Sequence, residues 1–350
     1  MFLRNCWYVA AWGAEVGATP LARTICAEPV VLFRGSDGRA VALEDRCCHR
    51  NLPLSMGKIE GDGLRCGYHG LLFDRTGLCV EVPGQSQVPP GASVRRFPLI
   101  ERWTLLWIWM GEAAPDEALL PDWHYIDDPA WASIAGNGAR PIPMKCDWQL
   151  HNDNLLDLSH VVYVHPSTLG SAGMERFPVR TERFETSVRM TRWMPDVQPM
   201  PMWAKLLDLS GNMDRWQVAE IKIPSHCTID AGFAPAGQTG PNEDRSKSAY
   251  LTILLTATPE TETTSFMFYA QIRNFAIGDP ALTQRFAENS RIIFEEDVRV
   301  LEAQQRAFSL RPDAPLVDLN VDAPSIAMRQ LVQRYAKAEA KGAVPGRSAA

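Results

Sequence analysis

The sequence predicts an α+β protein in which an all-β N-terminal domain precedes an antiparallel-sheet domain with flanking helices. Three observations carry this. Residues 1–110 alternate short apolar runs with turn signals, Ala113–Pro129 is rich in proline and acid, and beyond it come a helical segment, a run of strands and a long helix. At 350 residues two domains are expected, with boundaries at 1–120 and 121–350.

The N-terminal elements follow from local signals. Pro29–Arg34 and Ala40–Glu44 flank the turn residues Gly35–Gly38, and Leu71–Phe73 and Leu78–Val80 flank Asp74–Gly77, so both pairs read as hairpins. Leu105–Met110 is an unbroken apolar run suited to a buried strand. In the second half, Trp148–His165 reads as a helical segment stopped by Pro166. Strands are expected at Phe184–Trp193, Arg215–Ile223, Cys227–Phe233, Ala249–Thr258 and Thr263–Phe275. Asp279 and Pro280 then supply an N-cap and a first-turn proline for a helix running to about Phe308. The tail after Lys337 is rich in Ala, Gly and Lys and is expected to be mobile.

A hydrophobic content of 46% supports ample core, and the net charge of −6 argues against general binding to nucleic acid or anionic membranes. No run reaches the roughly 18 apolar residues of a membrane span. Met1–Trp12 lacks the apolar stretch of a signal peptide, and the eight cysteines are too sparse for a disulfide scaffold, so a cytoplasmic location is expected.

Cysteine placement says more than cysteine number. Cys47 and His49 form one box, Cys66 and His69 a second, with residues 50–65 between them. Two thiolates and two imidazoles on neighbouring loops suit a Rieske [2Fe–2S] centre, in which cysteines hold one iron and histidines the other. A structural zinc site is the alternative. Gly67 and Gly70 permit close backbone approach, and Cys48 takes no ligand role.

A second constellation follows in Asn154, Asp157, His160 and His165. Asp157 and His160 are i, i+3 neighbours on the expected helix and can face one pocket. His165 would lie about 140° further round, so the backbone is expected to bend there. Two histidines and a carboxylate make the facial triad of non-haem Fe(II) oxygenases. For the third ligand, Phe286, Ile293 and Asp297 share one face of the long helix, and a carboxylate on an apolar stripe needs a partner or a metal. Asp297 is therefore the expected ligand, with Glu295 and Glu296 facing water. His124 and His226 read as ordinary histidines; His151, near the motif, is a candidate for the pocket lining.

These boxes resemble those of Rieske non-haem iron oxygenases, and the resemblance spans nearly the whole chain. Respiratory Rieske proteins carry an extra cysteine in each box, joined as a disulfide; Leu52 and Tyr68 stand there in this chain. Phe2–Ala11 looks like the start of vanillate, dicamba and toluenesulfonate monooxygenase oxygenase subunits. Glu44–Arg50, Leu106–Gly111, Arg215–Gln217 and Phe294–Asp297 look closest to the toluenesulfonate branch. The resemblance implies a Rieske domain and a helix-grip-like catalytic domain. Its cofactors would be a [2Fe–2S] cluster on Cys47, His49, Cys66 and His69 and a mononuclear Fe(II) on His160, His165 and Asp297. Asn154 stands at the first acidic position of the family motif, as in the O-demethylating branch, and Asp157 would bridge the two metal sites. Electrons would then pass from His69 of one subunit to His160 of another, which implies a homotrimer.

The activity implied is O2-dependent monooxygenation of an aryl methyl or methoxy group on a small aromatic substrate. A flavin and iron–sulfur reductase would supply electrons from NAD(P)H. Ring dihydroxylation and a purely electron-carrying Rieske protein remain as alternatives. Relatives often act on aromatic acids, and strand parity turns Val188, Met190 and Arg192, with Phe184, toward the apolar face, so Arg192 is a candidate clamp for an acid group. Purified protein is expected to show visible absorption and acid-labile sulfide; a zinc protein would show neither.

Overall fold

The structure is a computed structural model that describes residues 1–134, 140–170, 173–240 and 248–342. The chain divides into two compact units, the first built on Met1–Leu120 together with Thr258–Glu262, and the second holding most of the remainder.

Three small antiparallel sheets make up the first unit. Leu105–Trp109, wholly buried, lies between Trp7–Trp12 and Leu99–Arg102. A second sheet orders Leu21–Ile25, Glu28–Arg34, Ala40–Glu44 and Arg96–Phe97, and a third orders Lys58–Glu60, Gly63–Arg65, Leu72–Phe73 and Cys79–Glu81. Both expected hairpins form. The Asp74 carboxylate accepts the backbone N–H groups of Thr76 and Leu78, and Gly77 takes φ +88°, which closes the second turn.

The second unit is built on an eight-stranded sheet. Arg180–Arg183, Ser187–Val197, Met213–Lys222, His226–Pro235 and Ala249–Pro259 follow one another as an antiparallel meander. Ser265–Arg273 continues the order and carries Ala132–Ile134 on its outer side. The α+β class and the strand run match expectation. The Trp148–His165 segment does not stay one helix: α1 (Trp148–Leu156) ends at Asp157, where φ −108° and ψ 85° break the spiral, and α2 (Val161–Val164) restarts after His160. The break has a local cause, because the Asp157 carboxylate accepts the Ser159 N–H at 2.9 Å and competes with helical bonding.

Two further helices were not anticipated. α3 (Pro201–Leu207) starts on a proline. After α4 (Pro280–Leu310), α5 (Ala323–Glu339) packs on α1 and on Ser187–Val197. The stretch after Lys337 thus begins as helix, and residues 343–350 lie outside the described residues. Among the described residues no helix is long and apolar enough to cross a membrane.

α4 is positioned from its start. Asp279 caps it by accepting the Leu282 N–H at 2.8 Å. The buried Arg273, at the end of its strand, donates to the carbonyls of Phe275, Ala276 and Asp279 and to the Thr283 hydroxyl. Leu282, Phe286 and Ile293 then bury one face against Met213, Phe233 and Leu251, at about 1.5–3 kcal/mol per side chain. Asp279→Ala is expected to destabilise the second unit by about 1 kcal/mol, read as a lower urea midpoint with an unchanged slope.

Candidate metal centres

In the first unit the two boxes lie on adjacent loops. Cys47 and Cys66 are buried, whereas His49 and His69 are exposed with ring centroids 4.5 Å apart. The loops are pinned by their own backbones: Cys47 donates to the Leu52 carbonyl and Cys66 to that of Leu71. Asp45, also buried, accepts both the N–H and hydroxyl of Ser55. Glycine at 67 is required by space, since a Cβ there would sit 2.8 Å from the Met56 carbonyl oxygen. Gly70 has φ +75°, and Arg65, braced by Glu60 and Glu81, donates to its carbonyl.

Burial pushes the Cys47 thiol up to about 11; a backbone hydrogen bond from His49 opposes this, and the nearby Cys66 adds to it. Such a thiol becomes a thiolate only beside a cation. Thiols at depth and imidazoles at the tip fit a two-iron cluster, one iron per ligand type. A single ion would need the four ligands gathered around one point. Among the described residues, the histidines and carboxylate of the second unit form the group whose ligand atoms lie within 4.8 Å of one another.

That second group is assembled by the broken helix and α4. His160 caps α2 at its start and His165 at its end, with ring centroids 5.4 Å apart. Asp297 Oδ1 lies 3.1 Å from His165 Nε2, 3.5 Å from His160 Nε2 and 3.1 Å from Asn154 Nδ2. The opposite ring nitrogens are engaged as well: His160 Nδ1 meets the Asp157 carbonyl, and His165 Nδ1 lies 2.7 Å from Glu296 Oε2. Those acceptors place the protons on Nδ1 and leave both Nε2 lone pairs facing a carboxylate oxygen. Lone pairs and an anion turned toward one another repel unless a proton or a metal ion sits among them, and two imidazoles with one carboxylate are a donor set that fits a divalent metal. Burial disfavours protonation of His165, but Asp297 and Glu296 outweigh it and hold its pKa above the ordinary value.

Glu296 therefore does not face water as expected; it is 18% exposed and orients His165. Glu295 does face solvent, paired with Arg291. The helix places the two apart because a 100° step turns Glu296 toward α2. A signal was present: Glu296 sits three residues beyond Ile293 on the inward side of α4.

A cavity of about 100 Å³ opens beside the three ligand candidates, of the order of the roughly 150 Å³ void that admits benzene. Its walls include Leu155, Ile229, Leu251, Ile253 and Phe294, and Trp203 of the unforeseen α3 closes one side. Asn154 lines it too. Two expected lining residues do not. His151 is buried behind Asp297 with Nε2 3.2 Å from the Met267 sulfur, and burial lowers its pKa to about 4 against the pull of Asp297. Arg192 is turned inward as parity requires, at 2% exposed, while Phe184 precedes the strand and is exposed. The Arg192 guanidinium instead donates to the Leu158 carbonyl at the helix break. His124 and His226 pair with Asp122 and Thr256, away from either centre.

Comparison with known proteins finds matching domains in the two parts of the chain that carry these groups. Residues 6–98 match the Rieske [2Fe–2S] domain and residues 144–338 the vanillate O-demethylase oxygenase C-terminal domain. A putative toluene-4-sulfonate monooxygenase system iron–sulfur subunit from Comamonas testosteroni is 43% identical, covering 99% of this chain and 100% of its own. A vanillate O-demethylase oxygenase subunit from a Pseudomonas species is 36% identical over 98% of this chain and 97% of its own. The crystal structure of dicamba monooxygenase bound to 3,6-dichlorosalicylic acid superposes with a TM-score of 0.89 at 31% identity, covering 97% of this chain and 99% of that one. Glu296→Ala is expected to weaken Fe(II) binding by about 10- to 100-fold, measured by iron titration, with the visible spectrum of the cluster unchanged. Glu296→Gln, which can still accept from Nδ1, is expected to retain most of the affinity.

Proposed function

We propose, for a chain that belongs to the vanillate O-demethylase type of Rieske non-haem iron oxygenases, that Cys47, His49, Cys66 and His69 hold the cluster and that His160, His165 and Asp297 hold the iron. The protein is an oxidoreductase, the oxygenase component of a Rieske monooxygenase system, and its cofactors are a [2Fe–2S] cluster and a mononuclear non-haem iron. As an oxygenase component it works with a reductase. We assign that reductase to the flavin and iron–sulfur class fed by NAD(P)H, and the location to the cytoplasm.

When bound, the iron activates O2 and the cluster delivers electrons to it one at a time. The protein's part is placement. Glu296 and the Asp157 carbonyl fix both imidazole tautomers, and Asn154 holds Asp297 by its shared oxygen. The apolar walls exclude water and hold an arene with one carbon near His160, His165 and Asp297, so position selects the bond oxidised. The reading is an aryl methoxy or methyl group: a hydroxylated methoxy carbon leaves as formaldehyde, and a hydroxylated methyl stays as an alcohol.

The observation that carries this is one apolar cavity ending on two histidines and a carboxylate. A homotrimer with electron transfer between subunits extends the reading. Asp157 and His160 line a broad depression on the second unit, beside Leu316 and Val317, which are 71% and 84% exposed. Exposed apolar side chains around a functional acid favour cover by a second copy, whose own His69 is exposed at a loop tip. His160→Ala is expected to abolish substrate oxidation and mononuclear iron while the cluster spectrum persists; retained turnover would sink the assignment.

A further inference from the structure

We infer that the cavity selects an uncharged arene whose polar substituent is hydrogen-bonded by Gln217, Gln271 and Trp203. This rests on the oxygenase reading above and names the substrate class for that site.

Three observations meet here. Gln217 Oε1, Gln271 Oε1 and Trp203 Nε1 are buried polar atoms without any hydrogen-bond partner, and all three residues line the cavity. They are 7%, 5% and 2% exposed, so solvent does not satisfy them. A native chain rarely leaves such atoms unpaired unless something else binds there. Their placement is built by the sheet. Gln217 pairs in register with Ala231, which pairs with Leu251, and both of these are cavity walls. Gln271 lies on the strand beyond, on the far side of Ala249–Pro259. The two carboxamides thus flank an apolar floor two strands wide, with the indole N–H as a third polar point.

The charge of the ligand follows from what is missing and from what amides can do. Among the described lining residues the ionisable groups are His160, His165 and Asp297, which the metal claims. Among the described residues no Lys or Arg lines the cavity. Arg192 stands opposite Gln217 in the register, but it is not among the lining residues; its Nη1 donates to the Leu158 carbonyl and its Nε is left without a partner. A carboxylate or sulfonate buried here would lack a counter-charge, which is costly. A carboxamide side chain, in contrast, presents either an acceptor or a pair of donors by rotating its end. Gln217 and Gln271 can therefore match an amide or a phenol, groups that both donate and accept, while the Trp203 N–H serves a carbonyl oxygen.

The test uses the full protein with cluster and iron in place, a compatible reductase, and three probes: 4-methoxybenzamide, 4-methoxybenzoate and anisole. Binding is read by calorimetry without O2, and turnover by formaldehyde release. The amide is expected to bind at least about tenfold more tightly than the acid. Gln217→Leu and Gln271→Leu are expected to lower kcat/KM for the amide about 10- to 100-fold more than for anisole, as loss of a buried hydrogen-bonding group does. Cluster absorption and iron content identify any variant that has not folded, and the wild-type binding order decides the matter without variants. Tighter binding of the acid than of the amide overturns the inference, as does an equal loss on all three probes in folded variants. If none of the three yields formaldehyde, the methoxyarene reading fails, while the calorimetric order still decides whether the cavity prefers a neutral group.

Discussion

One carboxylate oxygen organises the second unit. Asp297 Oδ1 faces the Nε2 atoms of His160 and His165 and the amide of Asn154. A charge 14% exposed in an apolar surround is tolerable only with that company. The frame exists to bring these groups together. Arg273 and Asp279 fix where α4 starts, and with it where Asp297 falls along the helix. Asn152, bonded to the Pro224 carbonyl and the Ser225 hydroxyl, holds α1 to the sheet from one side, and Asp153 pairs with Arg329 of α5 on the other. Between those anchors the chain is free to break at Asp157 and turn His160 inward.

Broken and intact helices divide the work. The unbroken α4 is a rigid ruler that delivers Asp297 and Glu296 from a distant start. The break between α1 and α2 turns His160 inward, and α2 ends after one turn at His165, whose φ −118° and ψ 46° leave the helix. On a continuous helix the two histidines could not both face one point. Arg192 supports this break from the sheet. Burial pulls its pKa down, the Asp157 and Glu175 carboxylates counter that, and its Nη1 donates to the Leu158 carbonyl at the break.

Much of this was legible in the sequence because metal chemistry is written in residue types at short spacing. The two Cys/His boxes, the His160 and His165 pair and the inward acid on α4 all declared themselves locally. The strand run and the long helix followed from period and capping. What escaped was tertiary. The break at Asp157 depends on a side chain competing with its own backbone, and the Glu296 contact on where a second helix lies. α5 had an audible start in Asp322, Ala323 and Pro324, the same acid-then-proline signal that revealed α4, with buried positions Ala327, Met328, Leu331, Val332 and Tyr335 at helical spacing. The cavity was the least legible feature. Parity correctly turned Arg192 inward, but only the fold decides which inward residues reach a void.

The composition of the first unit has a consequence for how the chain is made. Thr258–Glu262 belongs to that unit: Pro259 and Glu260 accept the N–H groups of Cys26 and Ala27, and the Thr258 hydroxyl donates to the Val9 carbonyl. On the ribosome these partners emerge only after most of the second unit has been synthesised. The N-terminal sheets must wait with open backbone groups, and the last closing bonds are contacts of very long sequence separation, the slow kind in folding. Cleavage of the chain ahead of residue 258 would leave an iron–sulfur unit that is continuous in sequence yet unfinished in its hydrogen bonding.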